Sequence, residues 1–261
     1  MDAGPYESLM VGLFGIYYGP PNHVVFDENI PKTVDLHLGF SRDGLHWDRP
    51  DRNAFIACSR QEGSWDRGYL QPSAGICLVV GDELRFYFSA FSGVSPAQGK
   101  GTYAGGSIAL ATMRRDGFAS MDGPGMPMPP IASHGDRVEV DRRELLPPGS
   151  LTTVPVVFSG SHLFVNAKLH GGELLVEVLR ADGSAIEGFS TRDCHPVTGD
   201  STRHAVAWPV SLAALTGTPV CFRFHLDAGE LYSFWVSQDV AGRSGGYVGA
   251  GGPDFTGERD L

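Results

Sequence analysis

The chain has 261 residues and a formal net charge of −10, with 20 Lys and Arg against 30 Asp and Glu; 42% of it is hydrophobic and 19% charged. So acidic a surface repels phosphate backbones and excludes a nucleic-acid partner, while the apolar fraction excludes a disordered chain. The longest apolar runs, such as residues 9–18, are far shorter than the ~20 residues a spanning helix needs, so no membrane partner is expected.

The first five residues lack a basic region ahead of an apolar core, so no signal peptide is expected and a cytoplasmic location is the default. Gly at 35 and Pro at 18 residues favour many turns and few helices. Residues 9–18 read as a buried strand. Residues 34–40 alternate apolar and polar, as a half-buried strand does. A turn follows at Ser41-Arg42-Asp43-Gly44. Residues 74–80 and 84–90 flank Gly81-Asp82 as a β-hairpin, and residues 107–113 supply a further strand. Residues 119–148 are rich in Gly and Pro and read as a linker. Strands then recur at 152–158, 162–167, 173–179, 204–208, 220–226 and 230–236, a spacing that suggests a β-sandwich over 149–238. Residues 239–261 carry no periodicity and read as a flexible tail. The predicted class is therefore all-β.

Cys58, Cys77, Cys194 and Cys221 form no Cys-x-x-Cys pair. Cys77 and Cys221 read as small buried hydrophobes; a disulfide would join Cys58 to Cys77 or Cys194 to Cys221, and free thiols are the favoured reading. His195 has no second His at ligand spacing, and no P-loop, nucleophile elbow or dinucleotide fingerprint occurs, so neither a metal nor a cofactor is expected.

The most specific local signal is Ser41-Arg42-Asp43-Gly44-Leu45-His46-Trp47. Ser41 and Asp43 accept turn amides, Gly44 supplies a positive φ, and Trp47 packs back on the sheet. This turn marks a fold rather than a catalyst. Together with residues 34–40 and Asp48-Arg49-Pro50 it resembles a blade of the five-bladed propeller of invertase-like and arabinanase-like glycoside hydrolases. Gly63-Ser64-Trp65-Asp66 and residues 81–89 resemble a second blade. Residues 152–235 resemble the sandwich that follows such propellers. The resemblance implies a partial propeller of about two blades over 1–118, a carbohydrate ligand, and hydrolysis of a glycosidic bond by two carboxylates. It also leaves room for blades from a longer chain or from a homo-oligomer. The family's Trp-Met-Asn-Asp-Pro-Asn-Gly, Arg-Asp-Pro and Glu-Cys motifs are absent. A non-catalytic carbohydrate-binding module is thus the alternative.

Hydrolysis needs carboxyl groups about 5 Å or about 6.5–9.5 Å apart. The catalytic candidates are Asp35, Glu62 and Asp66. Asp35 shares a strand face with Thr33 and His37, and that face either lines a funnel or is simply solvated. Glu62 and Asp66 flank Trp65 in a loop, where an aromatic face beside carboxylates suits the C–H face and hydroxyls of a sugar. Trp65, His37 and Tyr17 are the candidate substrate-binding residues.

Overall fold

The computed structural model describes residues 2–124 and 149–261. The fold is all-β, 46% strand and 4% helical. The described residues divide into two compact units, residues 2–115 with 245–261 and residues 116–244.

The first unit begins with β1 (Asp2–Glu7), β2 (Leu9–Gly19), a six-residue helix α1 (Asn22–Asp27) and β3 (Thr33–Ser41). It continues with β4 (Gly68–Pro72), β5 (Leu78–Val80), β6 (Glu83–Phe91), the short β7 (Val94–Ser95) and β8 (Gly99–Lys100), and β9 (Gly106–Arg114). The second unit holds β10 (Met121–Asp122), β11 (Gly149–Thr152), β12 (His162–Leu169), β13 (Leu174–Arg180), β14 (Asp200–Val206), β15 (Val220–Leu226) and β16 (Gly229–Ser237). The chain then re-enters the first unit as β17 (Tyr247–Val248).

In the first unit one sheet runs β17-β1-β2-β3, antiparallel throughout. Tyr6 pairs with Leu9, so Glu7 and Ser8 alone close the first hairpin, and Glu7 takes the left-handed φ of 48° that so tight a turn requires. Val11, Leu13, Val34 and Leu36 are buried. β3 is buried on both faces over residues 34–37, because residues 48–56 return along it with bridges at Leu36–Ile56 and Phe40–Asp48. The second sheet is built on β6, which pairs with β4 and β5 on one edge and β9 on the other. Leu84, Phe86, Phe88 and Ala90 point into the core and alternate with Arg85, Tyr87 and Ser89, as the sequence pattern predicts.

The 41–47 turn has its expected form. The Asp43 carboxylate accepts from the amides of Leu45 (2.9 Å) and His46 (2.8 Å), and the Ser41 hydroxyl accepts from the Gly44 amide (2.9 Å). Gly44 has φ +76°. The Trp47 indole donates to the Gly44 carbonyl (3.1 Å), and a Cβ on Gly39 would lie 3.7 Å from the Trp47 ring.

The second unit stacks β10-β16-β12-β14 against β11-β15-β13. Leu163, Val165 and Leu231 from one sheet meet Val176, Val178, Phe222 and Phe224 from the other in a single core, with Phe234 packed 5.0 Å from Phe224 and 5.8 Å from Phe222. Each such buried side chain contributes about 1.5–3 kcal/mol.

Two boundaries differ from the sequence reading. Met121 and Asp122, read as linker, pair with Leu231 and Glu230 as an edge strand of the sandwich. Residues 245–261, read as a flexible tail, pair through Tyr247 and Val248 with Glu7 and Tyr6, and Val248 is fully buried. Their glycines suppress the alternating pattern that betrays a strand. Most of the expected linker, residues 125–148, lies outside the described residues. All four cysteines are free and buried.

Candidate functional site

The unusual chemistry of the first unit starts on the buried polar face of β3. Asp35 is 3% exposed. One carboxylate oxygen accepts from the Cys58 amide at 2.9 Å and the other pairs with the Arg60 guanidinium. Burial works against its ionisation, but the Arg60 bond and the Cys58 amide outweigh that effect and hold its pKa below the usual carboxylate range. Asp35 is an anion at neutral pH with both oxygens engaged. The Cys58 thiol beside it is pushed up to about 11, first by burial and then by Asp35, and is no nucleophile at neutral pH.

His37, two residues along the same face, is fully buried. Its Nδ1 lies 2.9 Å from both the Asn53 carbonyl and the Arg49 guanidinium, and its Nε2 lies 3.1 Å from the Tyr18 hydroxyl. Burial, then Arg49, lowers its pKa and keeps the ring neutral. The Asn53 carbonyl only accepts and the Arg49 guanidinium only donates, so Nδ1 serves one or the other according to the tautomer, with Nε2 taking the complementary role toward the Tyr18 hydroxyl. Asp35 and His37 therefore reach the surface indirectly, through Arg60 and Tyr18. These two partners themselves meet, the Arg60 guanidinium lying 5.6 Å from the centre of the Tyr18 ring.

Arg60 also ties β3 to the loop of the other candidates. The Arg60 amide donates to the Arg67 carbonyl (3.1 Å) and the Ser59 amide to that of Asp66 (3.0 Å), closing residues 59–67 on themselves. Within that loop Glu62 is exposed, Asp66 accepts from the Ser64 hydroxyl, and Trp65 is half-exposed with its ring centre 6.4 Å from that of Phe88. Asp35 thus meets the Glu62–Trp65–Asp66 loop through Arg60.

A second cluster of aromatic side chains converges on Lys32. Its ammonium sits 5.8 Å from the centre of the Tyr17 ring and 5.6 Å from that of Tyr69. The Tyr69 ring packs 5.3 Å from Tyr103 and 5.7 Å from Phe91, and Tyr103 lies edge-on to Phe91 at 5.8 Å. Tyr17, Tyr18, Trp65 and Tyr103 expose 44, 54, 47 and 51% of their surface. Tyr17 is fixed by its hydroxyl, which donates to the Pro20 carbonyl. Asn29, Arg60 and Tyr69 hold left-handed φ of 55°, 59° and 50°. Backbone held in that region costs about 1–3 kcal/mol per residue and collects where function needs it. The Asn29 amide clamps the 93–105 loop by donating to the Lys100 carbonyl (2.6 Å).

No family model matches this chain, and neither a curated protein nor a solved structure does. Among the described residues no group of three His, Cys, Asp or Glu is placed to hold a metal ion, and no helix is long and apolar enough to cross a membrane. What remains are half-exposed rings beside cations: Tyr17, Tyr69 and Tyr103 about Lys32, and Tyr18 beside Arg60. Sequence reasoning reached Tyr17 and Trp65 but missed Tyr18, Lys32, Tyr69 and Tyr103. Lys32 and Tyr103 stand far apart in sequence, and no local pattern links them.

Proposed function

We propose that the first unit binds carbohydrate on the aromatic surface formed by Tyr17, Tyr69 and Tyr103, with Tyr18 and Trp65 as further contact residues. The observation that carries this reading is the clustering of Tyr17 and Tyr69 about Lys32 with Tyr103 packed on Tyr69, three rings from separate chain segments left half-exposed or partly buried rather than sunk in the core. Flat rings accept the C–H faces of sugars at small entropic cost, because each Tyr has only two side-chain torsions. Strained but fixed backbone at Arg60 and Tyr69 keeps such a surface preorganised. Binding without catalysis fits Asp35 best, since both its oxygens are engaged and its charge is neutralised by Arg60.

The test is binding to a panel of soluble polysaccharides by affinity electrophoresis, comparing the intact chain with Tyr69→Ala and Tyr103→Ala. Each variant is expected to lose affinity by about tenfold or more, the size of an aromatic anchor at an interface. Unchanged mobility shifts in both variants reject the reading.

Hydrolysis is the second reading, favoured by one observation: half-exposed Trp65 stands between Glu62 and Asp66 on a loop pinned to β3 through Arg60. Glu62 and Asp66 then supply the acid–base pair. Turnover of aryl-glycosides that disappears in Glu62→Gln and Asp66→Asn supports it. Absence of turnover in the intact chain leaves binding alone.

A further inference from the structure

The cation at the centre of the aromatic cluster points to the class of sugar. Resting on the carbohydrate reading above, we propose that this surface selects acidic polysaccharides, those whose sugars carry carboxylates, over neutral ones. In a chain of net charge −10, a surface cation ordinarily finds a carboxylate. Among the described residues Lys32 forms no ion pair; its contacts are the faces of Tyr17 and Tyr69. A cation–π contact uses the charge of an ammonium and leaves its N–H groups free to donate. Arg67 belongs to the same edge: its Nη1 lies 3.6 Å from the position a Cβ on Gly93 would take, and that position is also 2.5 Å from Cδ of Pro31, the neighbour of Lys32. Arg67 likewise forms no ion pair among the described residues. Arg60, the third cation, is satisfied by Asp35 and stays outside the selective pair.

Lys32 thus places an uncompensated charge beside rings suited to sugar faces, and Arg67 adds a second near Pro31. A carboxylate on a pyranose stacked against Tyr69 or Tyr17 meets the Lys32 ammonium as its counter-charge, and its neighbour along the polymer meets Arg67. A neutral sugar gains the stacking alone. Because the cations are only partly buried, the selectivity is screened by salt.

The probes are polygalacturonate and the same polymer fully methyl-esterified, which keeps the backbone and removes the charge. The intact chain is expected to bind polygalacturonate about tenfold more tightly than the ester at low ionic strength, with the gap shrinking as salt is added. Lys32→Met is expected to lose most of that gap, and Arg67→Gln to narrow it while binding the ester as the intact chain does. Equal affinity for the two polymers, or a gap unchanged in both variants, overturns the charge selectivity and leaves the aromatic surface standing. A variant that weakens the ester as much as the acid shows that the cation merely props up the rings, and also overturns it. Binding of neither polymer, with none to the wider neutral panel, overturns the carbohydrate reading itself.

Discussion

Asp35 and His37 show how two adjacent polar positions on one strand face come to serve as supports. Both are buried, both have lowered pKa values, and both hold a half-exposed neighbour, Arg60 or Tyr18, in place. A group whose pKa is lower in the folded state binds protons more readily when unfolded, so its stabilisation is complete above the unfolded pKa and is lost as pH falls through the folded one. For His37 the loss begins near the unfolded value of about 6.5, and for Asp35 near about 3.9. Thermal unfolding followed by circular dichroism is therefore expected to show stability falling on acidification, with the first decline starting near pH 6.5. His37→Gln removes that first decline and keeps the second. A variant with the same slope between pH 6.5 and 5 as the intact chain contradicts the assignment. What the sequence discloses at this scale is what is local. The Asp43 turn is legible because its partners are within three residues. The Asp35–Arg60 pair is not, because it spans 25 residues and depends on residues 48–56 folding back along β3.

At the scale of elements, alternation made the β6 hairpin plain, since one face of β6 is buried and the other is not, and the same alternation runs through residues 222–226 of β15. β1 and β17 escaped that reasoning for a physical reason. β1 contains Gly4 and Pro5, and β17 is two residues long within a glycine-rich stretch, so neither displays a period. Their pairing is nonetheless substantial. Val248 is fully buried, Gly249 donates to the Pro5 carbonyl (3.1 Å), and the Ala250 amide donates to that of Cys77 (2.9 Å). Arg115 reaches Asp260 at 2.9 Å and Glu7 at 3.3 Å, tying the returning segment to the strand it pairs with. Deleting residues 245–261 is expected to destabilise the first unit by at least about 2 kcal/mol, the burial of one valine and its hydrogen bonds. Urea unfolding is the measurement, and an unchanged midpoint would mean the segment is an ornament.

Over the whole molecule, the chain builds one unit, leaves it after Arg115 to build the sandwich, and returns at Gly245 to finish the first. The all-β class was legible in the sequence, because composition and turn residues report it. The sequence did not convey the return, nor the surface gathered from residues 17–18, 32, 65–69 and 103, because a site assembled from separate loops leaves no contiguous trace. Each unit has its own buried core, and the proposed binding surface lies within the first unit. The most direct measurement is a titration of isotopically labelled protein with polygalacturonate, followed by amide chemical-shift changes. Perturbations confined to residues 17–18, 31–32, 60–69 and 91–104 are the expected result; perturbations centred on the sandwich, residues 149–237, would contradict the account.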